Sequence, residues 1–225
     1  MCNKKNSIVA LFFIIAFFSS CSTPDRNNPI KNVEKFDTLP IPLDSAAFYF
    51  NVKEREDTTI NALDSFTNKW YSEMLFALKE PILKSYIGNK EIYRFTWLRT
   101  THRPVAIRVE AQQGINRLFA KICNGEGGIE PGKIMSDTAF DLGPQTFQQL
   151  KQKIDSINFW NLSTDNHSFK GDDGSEWIIE AVRNNNYHLV TRWSPDKYRF
   201  ANIRTIGEYF LDISKIGNKE TNNLY

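Results

Sequence analysis

The feature that most constrains the fold is a run of three segments joined by short turns. They are Glu91–Arg99, 104–111 and 115–122, with Gln112-Gln113-Gly114 between the last two. Apolar and polar residues alternate in the first two segments, as expected of half-buried strands. Parallel pairing requires a crossover of a dozen or more residues, and no such length separates these segments. They therefore predict an antiparallel meander.

Three further segments have the three-to-four-residue hydrophobic spacing of amphipathic helices. They span about residues 61–79, 143–157 and 200–217, with Asn61 as the N-cap of the first and Gly217 ending the last. The face of the first helix predicted to be buried comprises Leu63, Phe66, Trp70, Met74, Ala77 and Leu78. Its aromatic residues are therefore expected in the core.

A second hairpin is predicted from residues 176–183 and 187–193, around the asparagine triplet 184–186. Asparagine tolerates left-handed backbone better than other non-glycine residues, so the triplet suits a turn. A three-residue loop would place Trp177 opposite Trp193.

These elements predict an α+β fold, with a mainly antiparallel sheet made of a meander plus a hairpin. About three helices would pack on a face of the sheet. The order of a helix followed by a hairpin occurs twice, so an internal duplication is an open alternative, although no residue pattern repeats clearly. Residues 46–217 are predicted to be a single domain with strands also near 46–52 and 134–142, and 218–225 a loose tail.

The amino-terminal segment has the pattern of a secretory signal. Lys4 and Lys5 precede 11 uninterrupted apolar residues, Ile8 to Phe18, and small residues follow. Eleven residues rise only about 16 Å as a helix, which is about half of a bilayer core. Residues 1–20 are therefore predicted to be a cleaved signal peptide.

Residues Phe18, Ser19, Ser20 and Cys21 resemble the lipobox of bacterial lipoproteins, with Phe18 where that motif more often has Leu. The resemblance implies cleavage before Cys21, lipidation of its thiol and acylation of the new amino terminus, which would hold the protein on a membrane. The alternatives are an ordinary signal peptide cut near a cysteine, or an uncleaved anchor. By resemblance to enterobacterial sorting, Ser22 in place of Asp favours the outer membrane.

Residues 21–45 are predicted to be the lipidated cysteine and a flexible tether, because residues 22–45 hold four prolines and no hydrophobic period.

Cleavage would remove Lys4 and Lys5 from the 28 basic residues, leaving 26 against 26 acidic ones. This neutral balance is unlike that of nucleic-acid-binding proteins, so no nucleic-acid partner is expected. Cys123 would be left without a disulfide partner and is predicted to be a small buried apolar residue.

A glycine-rich segment matches most of a phosphate-binding P-loop through Gly127, Gly132 and Lys133. Ile134 stands where Ser or Thr should hold magnesium, and Pro131 removes an amide donor. A strand-like segment follows where the motif needs a helix. The glycines are therefore predicted to serve a turn with positive φ.

An acidic loop at residues 165–176 could hold calcium, with Asp172 and Asp173 as its weak metal candidates. The spacing does not fit an EF-hand, and a solvated loop is the simpler interpretation. No cofactor is predicted.

The second hairpin carries the best remaining group of candidate binding residues. They are Trp177, Glu180, His188, Arg192 and Trp193. Arg and Trp together are typical of binding hot spots. They are equally typical of a sheet that packs aromatic residues on one face and pairs charges on the other.

Residues 124–133 and 173–195 resemble a widespread set of bacterial proteins of unknown function, over about residues 91–213. The resemblance implies no catalytic residues.

Two hypotheses for the function follow. The first is a non-enzymatic, lipid-anchored envelope protein that presents its domain to a protein or cell-envelope partner. The second is an envelope hydrolase or small-ligand protein, whose site would need at least three residues of one set to converge in a pocket. That set is His102, Asp172, Asp173, Glu180, His188 and Arg192.

Overall fold

The computed structural model describes residues 36–53, 60–165, 171 and 173–217, which belong to one compact unit. The predicted signal peptide, lipobox and tail lie outside the described residues, as does Asp172. Within the part of the predicted tether that is described, the backbone nitrogen of Asp37 lies 3.3 Å from Oε1 of Gln112. Leu39 packs beside buried Leu83 and Ile92.

Eight strands and three α-helices form within the described residues. In chain order the strands are β1 (Asn51–Val52), β2 (Ala62–Leu63), β3 (Glu91–Arg99), β4 (Val105–Gln112), β5 (Ile115–Cys123), β6 (Ile134–Asp141), β7 (Ser175–Arg183) and β8 (Asn186–Trp193). The helices are α1 (Ser65–Ala77), α2 (Pro144–Ser156) and α3 (Ala201–Ser214), and a 3₁₀ turn, Phe159–Asn161, follows α2.

Strands β3 to β8 form one sheet in the order β6-β5-β4-β3-β7-β8, with every neighbouring pair antiparallel. The short strands β1 and β2 form a separate parallel pair. The predicted α+β class and mainly antiparallel sheet are therefore confirmed. Because β7 pairs with β3, the second hairpin extends the meander into a single sheet.

Helices cover both faces of this sheet, whereas packing on one face was expected. Side chains at successive strand positions point to opposite faces. On one face, Phe95 and Trp177 pack with Phe210 of α3 in the main core. On the other face, Leu98 and Ile178 pack in a second core. Its α1 residues are Tyr71, Met74 and Leu75. We call these the α3 face and the α1 face.

Several element boundaries differ from prediction for local reasons. The first helix begins after Asp64, not Asn61, because the Asp64 carboxylate accepts a 2.9 Å hydrogen bond from the Thr67 amide. Asn61 instead has φ 66°, and its side chain bonds the backbone of β8. The predicted first strand shrinks to Asn51–Val52, and α3 ends at Ser214 with left-handed Lys215 as its C-cap.

The predicted loop of the second hairpin was one residue too long. Arg183 pairs with Asn186, and Asn184 and Asn185 form a two-residue turn with φ of 53° and 61°. Left-handed backbone at both central positions suits the twist of a hairpin. Trp177 therefore pairs with Arg192 rather than with Trp193, and the two tryptophans point to opposite faces. Among the described residues, no helix has the length and apolar character needed to cross a membrane.

Candidate functional site

The predicted hairpin residues are divided between the two faces of the sheet. Trp177, His188 and Arg192 lie on the α3 face, whereas Glu180 and Trp193 lie on the α1 face, as their strand pairings require. Glu180 therefore does not share a site with His188 and Arg192.

The remaining members of the predicted set lie in loops. His102 lies in the β3–β4 connection, where its carbonyl oxygen accepts a 2.8 Å hydrogen bond from the Gly127 amide. Asp173 is exposed, and Asp172 is outside the described residues. No cluster of three His, Cys, Asp or Glu side chains arranged for a metal occurs in the part of the chain that is described.

Each hairpin residue on the α3 face has a packing or hydrogen-bonding role. Trp177 is buried against Phe95, with ring centroids 5.2 Å apart. His188 Nε2 lies 3.0 Å from the Leu162 carbonyl oxygen, and burial lowers the pKa of its imidazole. Arg192 donates to the Ser163 carbonyl oxygen at 3.0 Å. His188 and Arg192 thus hold the loop after the 3₁₀ turn against β8.

Glu180 belongs to a buried ion network that sequence reasoning missed. Arg94 donates from Nε to Glu180 Oε2 at 2.7 Å, and Tyr187 donates its hydroxyl to Glu180 Oε1 at 3.0 Å. Arg94 also donates from Nη1 to the Pro81 carbonyl oxygen at 2.7 Å. Arg94 and Glu180 are fully buried, so the pair ties the chain after α1 to the centre of the sheet.

Glu80 is the second centre of this network. Arg108 Nε lies 2.8 Å from Glu80 Oε2, Lys121 Nζ lies 3.1 Å from Oε1, and Arg94 Nη1 lies 3.5 Å from Oε2. Burial alone would raise the pKa of Glu80, but the three cations outweigh it and hold the pKa below its usual 4.5. Glu80 therefore fixes the end of α1 over the sheet as a carboxylate.

The helix positioned by this network buries only part of the predicted face, because Met74 and Leu78 are buried as predicted but Phe66 is not. Asn68 and Ser72 face the interior at 0% and 2% exposure, whereas Phe66 is 81% exposed. The buried polar atoms are satisfied, because Asn68 Nδ2 donates to the Phe50 carbonyl oxygen at 2.8 Å and Ser72 Oγ accepts from the Tyr49 amide at 2.9 Å. The predicted burial of Phe66 is therefore wrong.

The outward side of α1 forms a surface with shallow apolar grooves on both flanks. One groove, of about 330 Å³, lies between Lys69, Glu73 and residues 45–48. A second, of about 370 Å³, lies between Phe66, Trp70 and Ile129. We call this region the α1 surface and define it by Phe48, Phe66, Lys69, Trp70, Glu73 and Ile129.

The glycine-rich loop shapes the α1 surface and has no P-loop geometry. A Cβ on Gly127 would lie 2.8 Å from the Arg99 nitrogen, and one on Gly128 would lie 2.8 Å from the Thr100 Cα. These glycines therefore serve close backbone approach, whereas Gly132, at φ 69°, serves the predicted turn. Strand β6 begins at Ile134, where the motif needs a helix. The Gly127 carbonyl oxygen accepts a 2.9 Å hydrogen bond from Trp70 Nε1, which fixes that indole.

The prediction that Cys123 is a small buried residue is confirmed. Cys123 is buried beside Leu78 and Ala106, and burial raises the pKa of its thiol to about 11. At neutral pH this thiol is protonated and therefore a poor nucleophile.

Comparisons with known proteins identify no family for this chain. No family model matches it, and no curated protein gives a significant match. Among solved structures, a Bacillus halodurans protein described as a candidate adenylate cyclase is similar over 57% of this chain and 78% of its own. The sequence identity is 10% and the TM-score 0.20, which is too low to support an argument about fold or function. The resemblance to bacterial proteins of unknown function stays a prediction.

Proposed function

We propose that this chain is a lipid-anchored protein of the bacterial cell envelope, at the outer membrane, whose folded part binds a protein partner through the α1 surface. The observation that carries the proposal is the orientation of α1, which buries Asn68 and Ser72 and leaves Phe66 81% exposed. The anchor rests on the signal-like segment and the lipobox resemblance of Cys21.

The orientation of α1 supports binding because it leaves the large apolar side chain of Phe66 in solvent while Asn68 is buried. Removing a Phe side chain from water contributes about 1.5–3 kcal/mol. Here the fold forgoes that contribution and uses specific hydrogen bonds to place polar Asn68 inside. Exposed apolar patches with polar rims mark interaction sites. Phe66 and Ile129, at 81% and 71% exposure, line one groove of the α1 surface, and Phe48, at 36%, lines the other.

The form of the α1 surface favours a protein partner that inserts apolar side chains into its grooves. Phe66 and Trp70 lie one helical turn apart along the second groove, and Lys69 and Glu73 separate this groove from the first. Aromatic residues at the centre of a patch are frequent hot spots. Lys69 and Glu73 lie between the two grooves and carry opposite charges 3.9 Å apart. The α1 surface therefore offers no net charge, and the contact depends on apolar burial.

The test is recovery of a partner from native membranes by the tagged full-length lipoprotein in mild detergent. The surface variant is Phe66→Ser with Ile129→Ser. The matched control is Ile87→Ser, because Ile87 is 84% exposed and lies outside the α1 surface. We expect the wild type and the control to recover one protein in fixed proportion, and the surface variant to lose it. Equal recovery by all three proteins would reject the α1 surface.

The anchor is tested separately with Cys21→Ala and metabolic lipid labelling. We expect labelling in the wild type and none in the variant. Labelling retained by the variant would reject Cys21 as the lipidation site while leaving the α1 surface untouched.

A further inference from the structure

A polar cleft lies at one end of the sheet, and none of its residues belongs to the α1 surface. It forms where the start of β3, the β4–β5 turn, the β7–β8 turn and the first turn of α2 meet. Its volume is about 460 Å³, within the range of about 300–1,000 Å³ typical of small-ligand sites. We propose that this cleft binds a neutral, polyhydroxylated ligand, the ring of a glycan.

The charged side chains that line the cleft, Lys90, Glu91 and Arg183, are already in ion pairs. Arg183 Nε lies 2.7 Å and Lys151 Nζ 2.9 Å from the two carboxylate oxygens of Glu91. Lys90 Nζ lies 2.5 Å from Glu110 Oε2. A charged ligand would have to break these pairs, so the cleft favours a ligand without net charge.

Side-chain amides dominate the remaining polar lining. They are Asn89, Gln112, Gln113, Asn116, Gln148 and Asn184. An amide both donates and accepts, and so does a hydroxyl group, so this lining matches a ligand with many hydroxyls. Asn89 is oriented in advance, because its Oδ1 accepts a 3.1 Å hydrogen bond from Nε2 of Gln112, whose buried amide is itself held by Asp37. Pre-organised groups lose less entropy on binding.

One aromatic ring completes the match to a sugar. Phe147 lines the cleft and is held from behind by Tyr93, with ring centroids 6.2 Å apart. A sugar ring presents hydroxyls at its edge and C–H groups on its faces, so it can pack on an aromatic side chain while its edge bonds to amides. At the rim, Gln113, Pro144 and Asn184 are exposed, which leaves room for a longer glycan to continue outward.

The test is to titrate the full chain, in a polyoxyethylene detergent, with soluble trisaccharides. Binding is measured by saturation-transfer NMR and by calorimetry. Alkyl glycoside detergents are avoided because their headgroups would compete. The neutral probes are chitotriose and maltotriose, and trigalacturonate and trialanine are the charged and peptide comparisons. We expect a neutral trisaccharide to bind at least tenfold more tightly than either comparison.

Variants then locate the site. Asn89→Ala with Gln148→Ala removes two amides with exposed side chains, and Phe147→Leu keeps apolar volume but removes the ring. Gln145→Ala is the matched control, because Gln145 is exposed on the same helical turn but outside the cleft. We expect both cleft variants to remain folded at the titration temperature and to bind at least tenfold more weakly, and the control to bind like the wild type. Absence of neutral trisaccharide binding, preference for trigalacturonate or trialanine, or equal binding by every variant would overturn the proposal.

Discussion

Asn68 donates a 2.8 Å hydrogen bond from Nδ2 to the carbonyl oxygen of Phe50, eighteen residues earlier in the chain. The same amide group lies 3.2 Å from the Asn51 carbonyl oxygen. These bonds attach the start of β1 to the inward side of the helix. They therefore determine that Phe66 faces outward.

Replacing Asn68 with Ala should destabilise the protein measurably. The substitution removes the Oδ1 acceptor that lies 3.4 Å from the buried Phe50 amide, whereas the Phe50 carbonyl oxygen keeps Lys84 Nζ as a donor at 2.9 Å. An unsatisfied buried polar group costs about 1–3 kcal/mol. The free energy of unfolding from urea titration measures the effect. Ser65→Ala is the control, because Ser65 is exposed on the same helix and should change stability by less than about 0.5 kcal/mol. Equal effects at both positions would contradict this assignment of the inward side.

Truncating an apolar residue should cost little stability on the outward side of α1 and much more on its inward side. Phe66→Ala should change the free energy of unfolding by less than about 0.5 kcal/mol, as at other exposed positions. Leu75→Ala should cost about 2–5 kcal/mol, because Leu75 is fully buried and truncation leaves a cavity. If Phe66→Ala costs as much as Leu75→Ala, the exposed orientation of Phe66 is wrong.

Hydrophobic periodicity predicted the helices, the main strands and the α+β class, yet it placed Phe66 in the core. Periodicity locates an apolar stripe and assumes that the stripe faces inward. In α1 the inward side includes Asn68 and Ser72, whose partners lie at Phe50 and Tyr49. No local pattern shows that those backbone groups need donors or acceptors, so the exposure of Phe66 could not be predicted from the helix alone.

The ion network was missed for a related reason. Arg94 and Glu180 are 86 residues apart, and they meet only because β7 pairs with β3 in one particular register. The strand patterns indicated a polar side without showing that α1 would cover it. Once both faces of the sheet are covered, its charged residues must pair with one another.

Breaking the Arg94–Glu180 pair should be strongly destabilising, whereas replacing both residues should not. Arg94→Met leaves the Glu180 carboxylate buried without its main partner, and such changes cost about 3–5 kcal/mol. Combining Arg94→Met with Glu180→Leu removes the uncompensated charge and should recover much of that loss. A double-mutant cycle in urea measures the coupling, and strictly additive effects would contradict the proposed pairing.

Because of His188, the free energy of unfolding should decrease as the pH drops below about 6.5. Burial lowers its pKa in the folded protein from the ordinary value of 6.5. As the pH falls, the unfolded chain therefore takes up the proton first, and folding stability decreases until the folded pKa is passed. One such group contributes at most about 1.4 kcal/mol per pH unit.

The measurement for His188 is the free energy of unfolding of the wild type and of His188→Gln between pH 7.5 and pH 5 at constant ionic strength. Glutamine can still donate toward the Leu162 carbonyl oxygen but does not titrate. The variant should show a shallower loss of stability across this window. Parallel curves would show that His188 is not the group responsible.

Gly207 should not tolerate alanine, although it lies in the middle of α3, where alanine normally favours the helix by about 1 kcal/mol. A Cβ at this position would overlap the ring of Trp177 and lie 3.0 Å from Cε2 of Phe95. Overpacking of this kind costs about 1–3 kcal/mol, so Gly207→Ala should lower the free energy of unfolding.

Two further variants separate this overlap from a general effect of replacing glycine. Gly217→Ala should be nearly neutral, because a Cβ there meets no atom within 4 Å. Adding Trp177→Phe to Gly207→Ala should cost less than the two single effects combined, since the smaller ring gives the new methyl group space. If the combination is additive, α3 does not approach the sheet through Gly207 and Trp177.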